Sequence, residues 1–258
     1  MRRPWVAHLL SGRQSTTLGW MTDERQEPGR DNPRDTIHEV APYATRDATR
    51  GGVRDTIPLR TITLAVTGAS GALFARQMLR ALEDDERVRR VNFICSDSGL
   101  RVMAEELGLS GRNELLRQLL GTEAKKTTIQ NNQDIGANIA SGSYPTDAMI
   151  VLPCSMATLA KIAQGLASKL IERAADVCLK ERIPLVLCVR ETPLNRIHLR
   201  NMTMAAEAGA TIYPLIPALY NLPASLDEMA QQFVCRVLKH IGLPQKGAYV
   251  WKAEETND

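Results

Sequence analysis

The feature that most constrains this chain is an alternation that begins at Thr61. Short runs of β-branched and apolar residues alternate with longer stretches of helical period. The runs are Thr61–Val66, Val91–Cys95, Ala148–Leu152, Pro184–Val189 and the short Thr211–Tyr213. The spacing of Leu73, Phe74, Met78, Leu79 and Leu82 predicts an amphipathic helix after the first run. Further helices are expected over Leu100–Leu107, Asn113–Leu120, Met156–Gln164, Ile171–Leu179, Ile197–Ala208 and Leu226–Ile241. The runs are apolar on both faces, so each face must be covered, as in a parallel sheet crossed by helices. The expected fold is α/β, with three layers around a mostly parallel sheet. Ligands in such folds lie beyond the carboxyl ends of the strands. The residues just after each run therefore carry the information about function.

Composition narrows the class. The chain has 258 residues, 44% of them hydrophobic, enough for one sizeable core. The net charge of +3 is spread rather than blocked, which argues against nucleic acid as a partner. No apolar run is long enough to span a bilayer. Cys95, Cys154, Cys178, Cys188 and Cys235 form no CxxC pair and mostly sit in apolar runs. They read as reduced, buried thiols of a cytoplasmic protein, with no metal site. Residues 1–60 differ in kind: arginines, acids and prolines alternate without period, and lysine is absent. This segment is expected to be a disordered or loosely attached extension, with residues 61–258 forming the functional domain. Its start lacks acids and carries Arg2, Arg3 and Arg13. That leaves a mitochondrial presequence open beside a non-essential tail or a true start at Met21.

Four strand ends carry candidate chemistry. After the first run, Thr67-Gly68-Ala69-Ser70-Gly71-Ala72 combines small residues with a following helix, suited either to a tight turn capped by Ser70 or to contact with an anionic ligand. It is neither GxGxxG nor GxSxG. Ser96-Asp97-Ser98 follows the second run, and Glu105-Glu106 lies further along its helix, where a glutamate pair usually marks a solvated face. Ser155, Met156, Ala157 and Thr158 follow the third run, preceded by the small loop Ser141-Gly142-Ser143. Hydroxyl-bearing helix starts gathered on one sheet edge describe an anion site. Arg190-Glu191 closes the fourth run, and Pro193 with Asn195 sets up the next helix. An arginine there can grip a phosphate, and the glutamate can move a proton or hold the arginine. The prolines Pro214, Pro217 and Pro223 stiffen a loop that presents Tyr220, and Arg236 sits among apolar residues of the last helix.

These residues carry a resemblance. TGASGA at Thr67–Ala72, SGS at Ser141–Ser143, PCSMATLAKIAQG at Pro153–Gly165 and LIERAADVCLKERIPLVLCVRETPLNRIHLRNM at Leu170–Met202 are similar to the UbiX/Pad-type flavin prenyltransferases. GATIYPLIPALYNLP at Gly209–Pro223 extends the match, which covers nearly all of Thr61 to Trp251. The resemblance implies a flavodoxin-like (Rossmann-like) fold. It implies transfer of a dimethylallyl group from dimethylallyl monophosphate, or sometimes the diphosphate, to reduced FMN without a metal. The product, prenylated FMN, would serve UbiD-type decarboxylases. By position, the family pattern implies FMN contacts from Gly68, Ala69, Ser70, Ser96, Ser155, Met156, Ala157, Thr158, Arg173 and Arg190. It implies donor contacts from Lys180, Arg190, Tyr220, Arg236 and Trp251. Ser70, Glu106, Lys180 and Glu191 would serve the chemistry, in sites spanning subunits of a homo-oligomer, typically a dodecamer.

The sequence departs from that pattern at a few places. Asp97 stands where lysine is common, Lys169 where asparagine is usual, Val189 where a proline precedes Arg-Glu, and Ile135 where an aromatic is frequent. Two alternatives remain beside the transferase. One is a flavin-dependent cysteine decarboxylase, but His8, His38, His198 and His240 are the only histidines and the loop reads PCSMAT. The other is a carrier of FMN or prenylated FMN without turnover, which would not need Glu106, Lys180, Glu191 and Arg236 together.

Overall fold

The computed structural model describes residues 59–110 and 114–251; residues 1–58 of the expected extension lie outside them, and its last residue, Arg60, opens the first strand. The sheet is built from β1 (Arg60–Val66), β2 (Val88–Cys95), β3 (Thr127–Gln130), β4 (Ala148–Cys154), β5 (Leu185–Val189) and β6 (Thr211–Ile212). The helices are α1 (Ala72–Asp84), α2 (Asp97–Leu107), α3 (Leu115–Leu120), α4 (Met156–Ala163), α5 (Leu170–Glu181), α6 (Arg196–Glu207) and α7 (Leu226–His240). A single 3₁₀ turn covers Asn138–Ala140.

All six strands are parallel, in the order β3-β2-β1-β4-β5-β6. Leu64 pairs with Phe93 on one side and Ile150 on the other, and Ile150 pairs with Val186. Alternation then sorts the two faces. Ile62, Leu64, Phe93, Ile150 and Val186 pack under α1, α2, α3 and α7, against Met78, Leu79, Met103, Leu119, Phe233 and Val237. Ala65, Ile94, Met149, Val151 and Leu187 pack under α4, α5 and α6, against Leu159, Ile162, Ala174, Cys178 and Ala205. Each fully buried Leu, Ile or Phe contributes about 1.5–3 kcal/mol of transfer free energy. This explains why the strands read as continuous apolar runs rather than alternating ones.

The expected three-layer α/β architecture is the one observed. The five strands read from sequence, placed in space, have the flavodoxin-like order 2-1-3-4-5, and the edge strand β3 extends it to 3-2-1-4-5-6. β3 and the 3₁₀ turn are absent from the sequence reading. β3 has four residues, and Thr128 and Ile129 are exposed. Its start is held from a distance: the buried Glu83 carboxylate, at the end of α1, accepts hydrogen bonds from the Lys125 and Lys126 amides and the Thr127 hydroxyl. β2 begins at Val88 rather than Val91, and α2 begins at Asp97, three residues before the expected Leu100. All five cysteines are free thiols, and burial pushes Cys154 and Cys178 up to about 12.

Candidate active site

Strand order reverses between β1 and β4, which opens a crevice at their carboxyl ends. Thr67, 1% exposed, rivets its two sides together. Its hydroxyl donates to the Pro153 carbonyl at 2.9 Å and accepts from the Ser155 amide at 2.8 Å. The loop beyond Thr67 lies tight against α2, since a Cβ on Gly68 would fall 2.5 Å from the Ser98 Cβ. Gly71 takes φ +127°, and a Cβ there would meet Leu215 at 2.5 Å. Both contacts require glycine.

Two of the three predicted hydroxyl caps form. Ser96 Oγ accepts from the Gly99 amide at the start of α2, and Ser155 Oγ accepts from the Thr158 amide at the start of α4. The first amides of each of these helices have no acceptor within their own helix and lie at this sheet edge, as an anion site requires. Ser70 does not cap α1, whose N-cap is Gly71 with no side-chain bond of its own. The cap comes from Glu106. Its Oε2 accepts from the amides of Gly71 at 3.0 Å and Ala72 at 2.7 Å. Glu106 is therefore not part of a plain solvated pair: only its neighbour Glu105 has that role, bridging to Arg101. Partial burial pushes the Glu106 carboxyl up. The Ser70 hydroxyl, the Gly71 and Ala72 amides and the Arg190 charge outweigh it and hold the group below its usual value. Glu106, Ser70, the α1 N-terminus and Arg190 thus form one electrostatic unit.

Arg190 follows β5 at the same edge, its amide bonded to the Cys154 carbonyl at 3.1 Å, and its side chain is exposed. Glu191 does not hold it in place. Its Oε1 accepts from the Thr192 amide at 2.9 Å, which turns the carboxylate back onto its own turn. Asn195 caps α6 in a capping box with His198, as Pro193 and Asn195 suggested.

The remaining predicted residues fall in two other places. Tyr220, Arg236 and Trp251 line a cavity of about 1180 Å³ between α7, the stretch after β6 and the C-terminal stretch. The Tyr220 and Trp251 rings meet edge to face at 5.1 Å. Arg173 and Lys180 belong to α5. Arg173 donates to the Ala140 carbonyl at 3.1 Å and pairs with Asp176 at 2.7 Å. Lys180 pairs with Glu181, and both lie against Gly142 of the Ser141–Ser143 loop. Lys180 precedes β5 and Arg190 follows it, so a strand of about 16 Å separates them. One chain does not bring Lys180 to Glu106.

Two departures from the family pattern meet. Lys169 Nζ donates to the Gln133 side-chain oxygen Oε1, and Gln133 Nε2 donates to Asp97 Oδ2 at 3.4 Å. The starts of α2 and α5 are thereby linked on the crevice side. The sequence reading singled out neither Thr67 as the rivet nor Asn221, whose buried Nδ2 lacks an acceptor beside the large cavity. Thr67 carried a signal, since it ends an apolar run directly before the small-residue loop; Asn221 carried none.

A family model described as Flavoprotein matches residues 53–233. The chain belongs to the Flavoprotein family. Within this family it is similar to the flavin prenyltransferase UbiX of Salmonella typhimurium, at 43% identity over 186 residues, covering 72% of this chain and 94% of that protein. The UbiX of Escherichia coli K12 is 40% identical over 185 residues, covering 72% and 93%. Among solved structures, AnUbiX (PadA1) in complex with FMN and dimethylallyl pyrophosphate superposes with a TM-score of 0.67. It is 39% identical and covers 75% of this chain and 97% of that one. A dodecameric FMN-dependent UbiX-like decarboxylase of Escherichia coli O157:H7 also has a TM-score of 0.67, at 38% identity over 74% of this chain and 99% of that one. The Flavoprotein match spans the crevice from Thr67 to Arg190, where the electrostatic unit lies.

Proposed function

We propose that this chain is a flavin prenyltransferase, joining a dimethylallyl group from dimethylallyl (mono)phosphate to reduced FMN without a metal. The observation that carries the reading is the unit of Glu106, Ser70 and Arg190 at the switch-point crevice, in a chain that aligns with UbiX along nearly the whole of that enzyme. The flavin is a substrate here. The Thr67–Ala72 loop and the starts of α2 and α4 offer small residues and outward amides suited to it, with Gly68, Ala69, Ser96, Ser155, Met156, Ala157 and Thr158 as contacts.

The reaction balances without an added redox partner. The allylic C–O bond breaks and the phosphate leaves with its electron pair. Flavin N5 supplies the pair for the new C–N bond and gives up its proton. Closure at C6 takes a proton at the alkene and returns one from the ring carbon. Arg190, Lys180 and Arg236 stabilise the departing charge, and Tyr220 donates a hydrogen bond to it. Electron-rich aromatic groups favour the allylic cation, and Trp251 against Tyr220 supplies them. Glu106, held ionised beside the flavin loop, takes a proton directly or through phosphate, and Glu191 serves a second transfer.

Lys180 acts from a neighbouring copy in this reading, because β5 separates it from the crevice edge in its own chain. Exposed Leu194, Ile197 and Leu199 at the start of α6 supply apolar surface for such contacts. The dodecameric UbiX-like structure makes that assembly the natural choice. Among the described residues no helix is long and apolar enough to cross a membrane. The test is functional: protein incubated anaerobically with reduced FMN and donor should activate a cofactor-free UbiD-type decarboxylase. Failure of that transfer, with FMN bound and donor present, would favour a carrier.

A further inference from the structure

Lys180 has to reach a phosphate in another copy, yet it stands at an exposed helix end on a flexible four-carbon stem. Such a side chain samples many orientations, and freezing it on binding costs affinity. The structure supplies a holder. Glu181 Oε1 pairs with Lys180 Nζ, with both side chains about half exposed. Neighbours in sequence do not ordinarily face each other on a helix. These two meet over a third element, Gly142, where a Cβ would fall 2.8 Å from Glu181 Cδ and 2.9 Å from Lys180 Nζ. α5 ends at the same point: Arg182 takes the left-handed conformation, and the Ile183 amide returns to the Cys178 carbonyl at 2.8 Å. The seat is itself fixed. The Ser141 and Ser143 hydroxyls lie 2.9 Å apart, and the Tyr144 amide donates to the Ser141 carbonyl at 3.2 Å. Arg173, two turns before Lys180 on α5, donates to the Ala140 carbonyl. One helix thus grips residues 140–143 at two points. A half-exposed ion pair contributes little to folding, so stability does not account for this arrangement. An ammonium has three donors, and with one engaged by Glu181 two remain for a phosphate.

We propose that Glu181 is a positioning residue: it holds the Lys180 ammonium against Gly142, so that the lysine is presented to the donor phosphate of the neighbouring copy in one orientation. The inference rests on the prenyltransferase reading, in which Lys180 stabilises the departing charge, and adds the group that aims it. Glu181 touches neither flavin nor donor and acts through Lys180 alone. Gly142 belongs to the same device. The atoms that an added Cβ would meet are the far ends of flexible side chains, so alanine there displaces the ammonium and the carboxylate rather than the backbone.

The experiment is a double-mutant cycle in the full-length protein, read as kcat/KM for the dimethylallyl donor that the wild type turns over. Freeing one long side chain predicts that Glu181→Ala lowers kcat/KM by about three- to tenfold. FMN affinity, assembly and the urea midpoint should stay those of wild type. Glu181→Gln, which keeps an acceptor oxygen for the ammonium, should recover most of the loss, and Gly142→Ala should reproduce it. Lys180→Ala combined with Glu181→Ala should be no slower than Lys180→Ala alone, followed over long incubations, because Glu181 acts through the lysine. Wild-type kcat/KM in Glu181→Ala overturns the inference, as does a gain, which would make the carboxylate a competitor of the phosphate. Losses that add in the double variant overturn it too, and so does failure of Glu181→Ala to assemble, since either gives Glu181 a role apart from Lys180. All of these leave the prenyltransferase reading standing. Lack of product from the wild type with either donor overturns that reading itself, and the inference with it.

Discussion

The carboxylate of Glu106 caps the helix that begins at Ala72, with Oε2 2.7 Å from the Ala72 amide, although the two residues lie 34 positions apart. A negative charge at a helix N-terminus is favourable, and this one sits where the flavin loop turns. The geometry ties the proton-handling candidate to the loop that would hold the flavin.

Glu106→Gln keeps one oxygen acceptor for the α1 amides but removes the charge and the basicity. FMN binding should change by less than about threefold, whereas prenylation should slow by about 10²-fold or more, in the range of general acid–base effects. Single-turnover kinetics beside fluorescence titration of FMN would check this. Unchanged rates would remove Glu106 from the chemistry.

Glu83 anchors the edge strand. Truncation to alanine leaves the Lys125 and Lys126 amides and the Thr127 hydroxyl without their acceptor, at a cost of about 2–3 kcal/mol. Urea unfolding should show that loss, with amide exchange fastest over Thr127–Gln130. A stability within about 0.5 kcal/mol of wild type would mean that β3 does not depend on Glu83.

That anchor also explains why part of the fold could not be read in advance. β1, β4 and β5 are buried on both faces, so their local composition announces them. β3 is short, half-exposed and held by a residue 44 positions away, so no local pattern marks it. The site divides in the same way. Ser96 and Ser155 stand directly after strands, and their caps follow from position. Ser70 stands in an equivalent place but loses the cap to Glu106, a tertiary contact with no trace in the loop itself. The unpaired Asn221 amide likewise depends on surroundings that only the folded chain supplies.

Asp85 gives the acid branch of the stability curve. The Arg87 hydrogen bonds, helped by Gln245 and opposed by burial, lower its pKa from 3.8 to about 2. A group depressed in the folded state stabilises above its unfolded pKa and loses that contribution as pH falls through the folded value. The loss therefore runs from about pH 4 to about pH 2 and amounts to about 2 kcal/mol. Asp85→Asn should be less stable at pH 7 but flatter over that window in urea titrations. An equal slope in both proteins would rule Asp85 out as the source.

Lys180 and Glu106 offer a test of the shared site. Homo-oligomers of Lys180→Ala and of Glu106→Gln should each be nearly inactive. Co-expressed, they should form mixed assemblies in which some interfaces carry both intact residues, with activity recovering to roughly a quarter of wild type if one residue of each kind completes a site and subunits mix at random. Lack of recovery in confirmed mixed assemblies would place the site within one chain.

The central claim is tested most directly by anaerobic mass spectrometry. The protein is mixed with reduced FMN and dimethylallyl monophosphate, without metal and with chelator present, and the flavin is weighed; the diphosphate is run in parallel. The account predicts FMN enlarged by one five-carbon unit. FMN that binds and is recovered unchanged with both donors would contradict it.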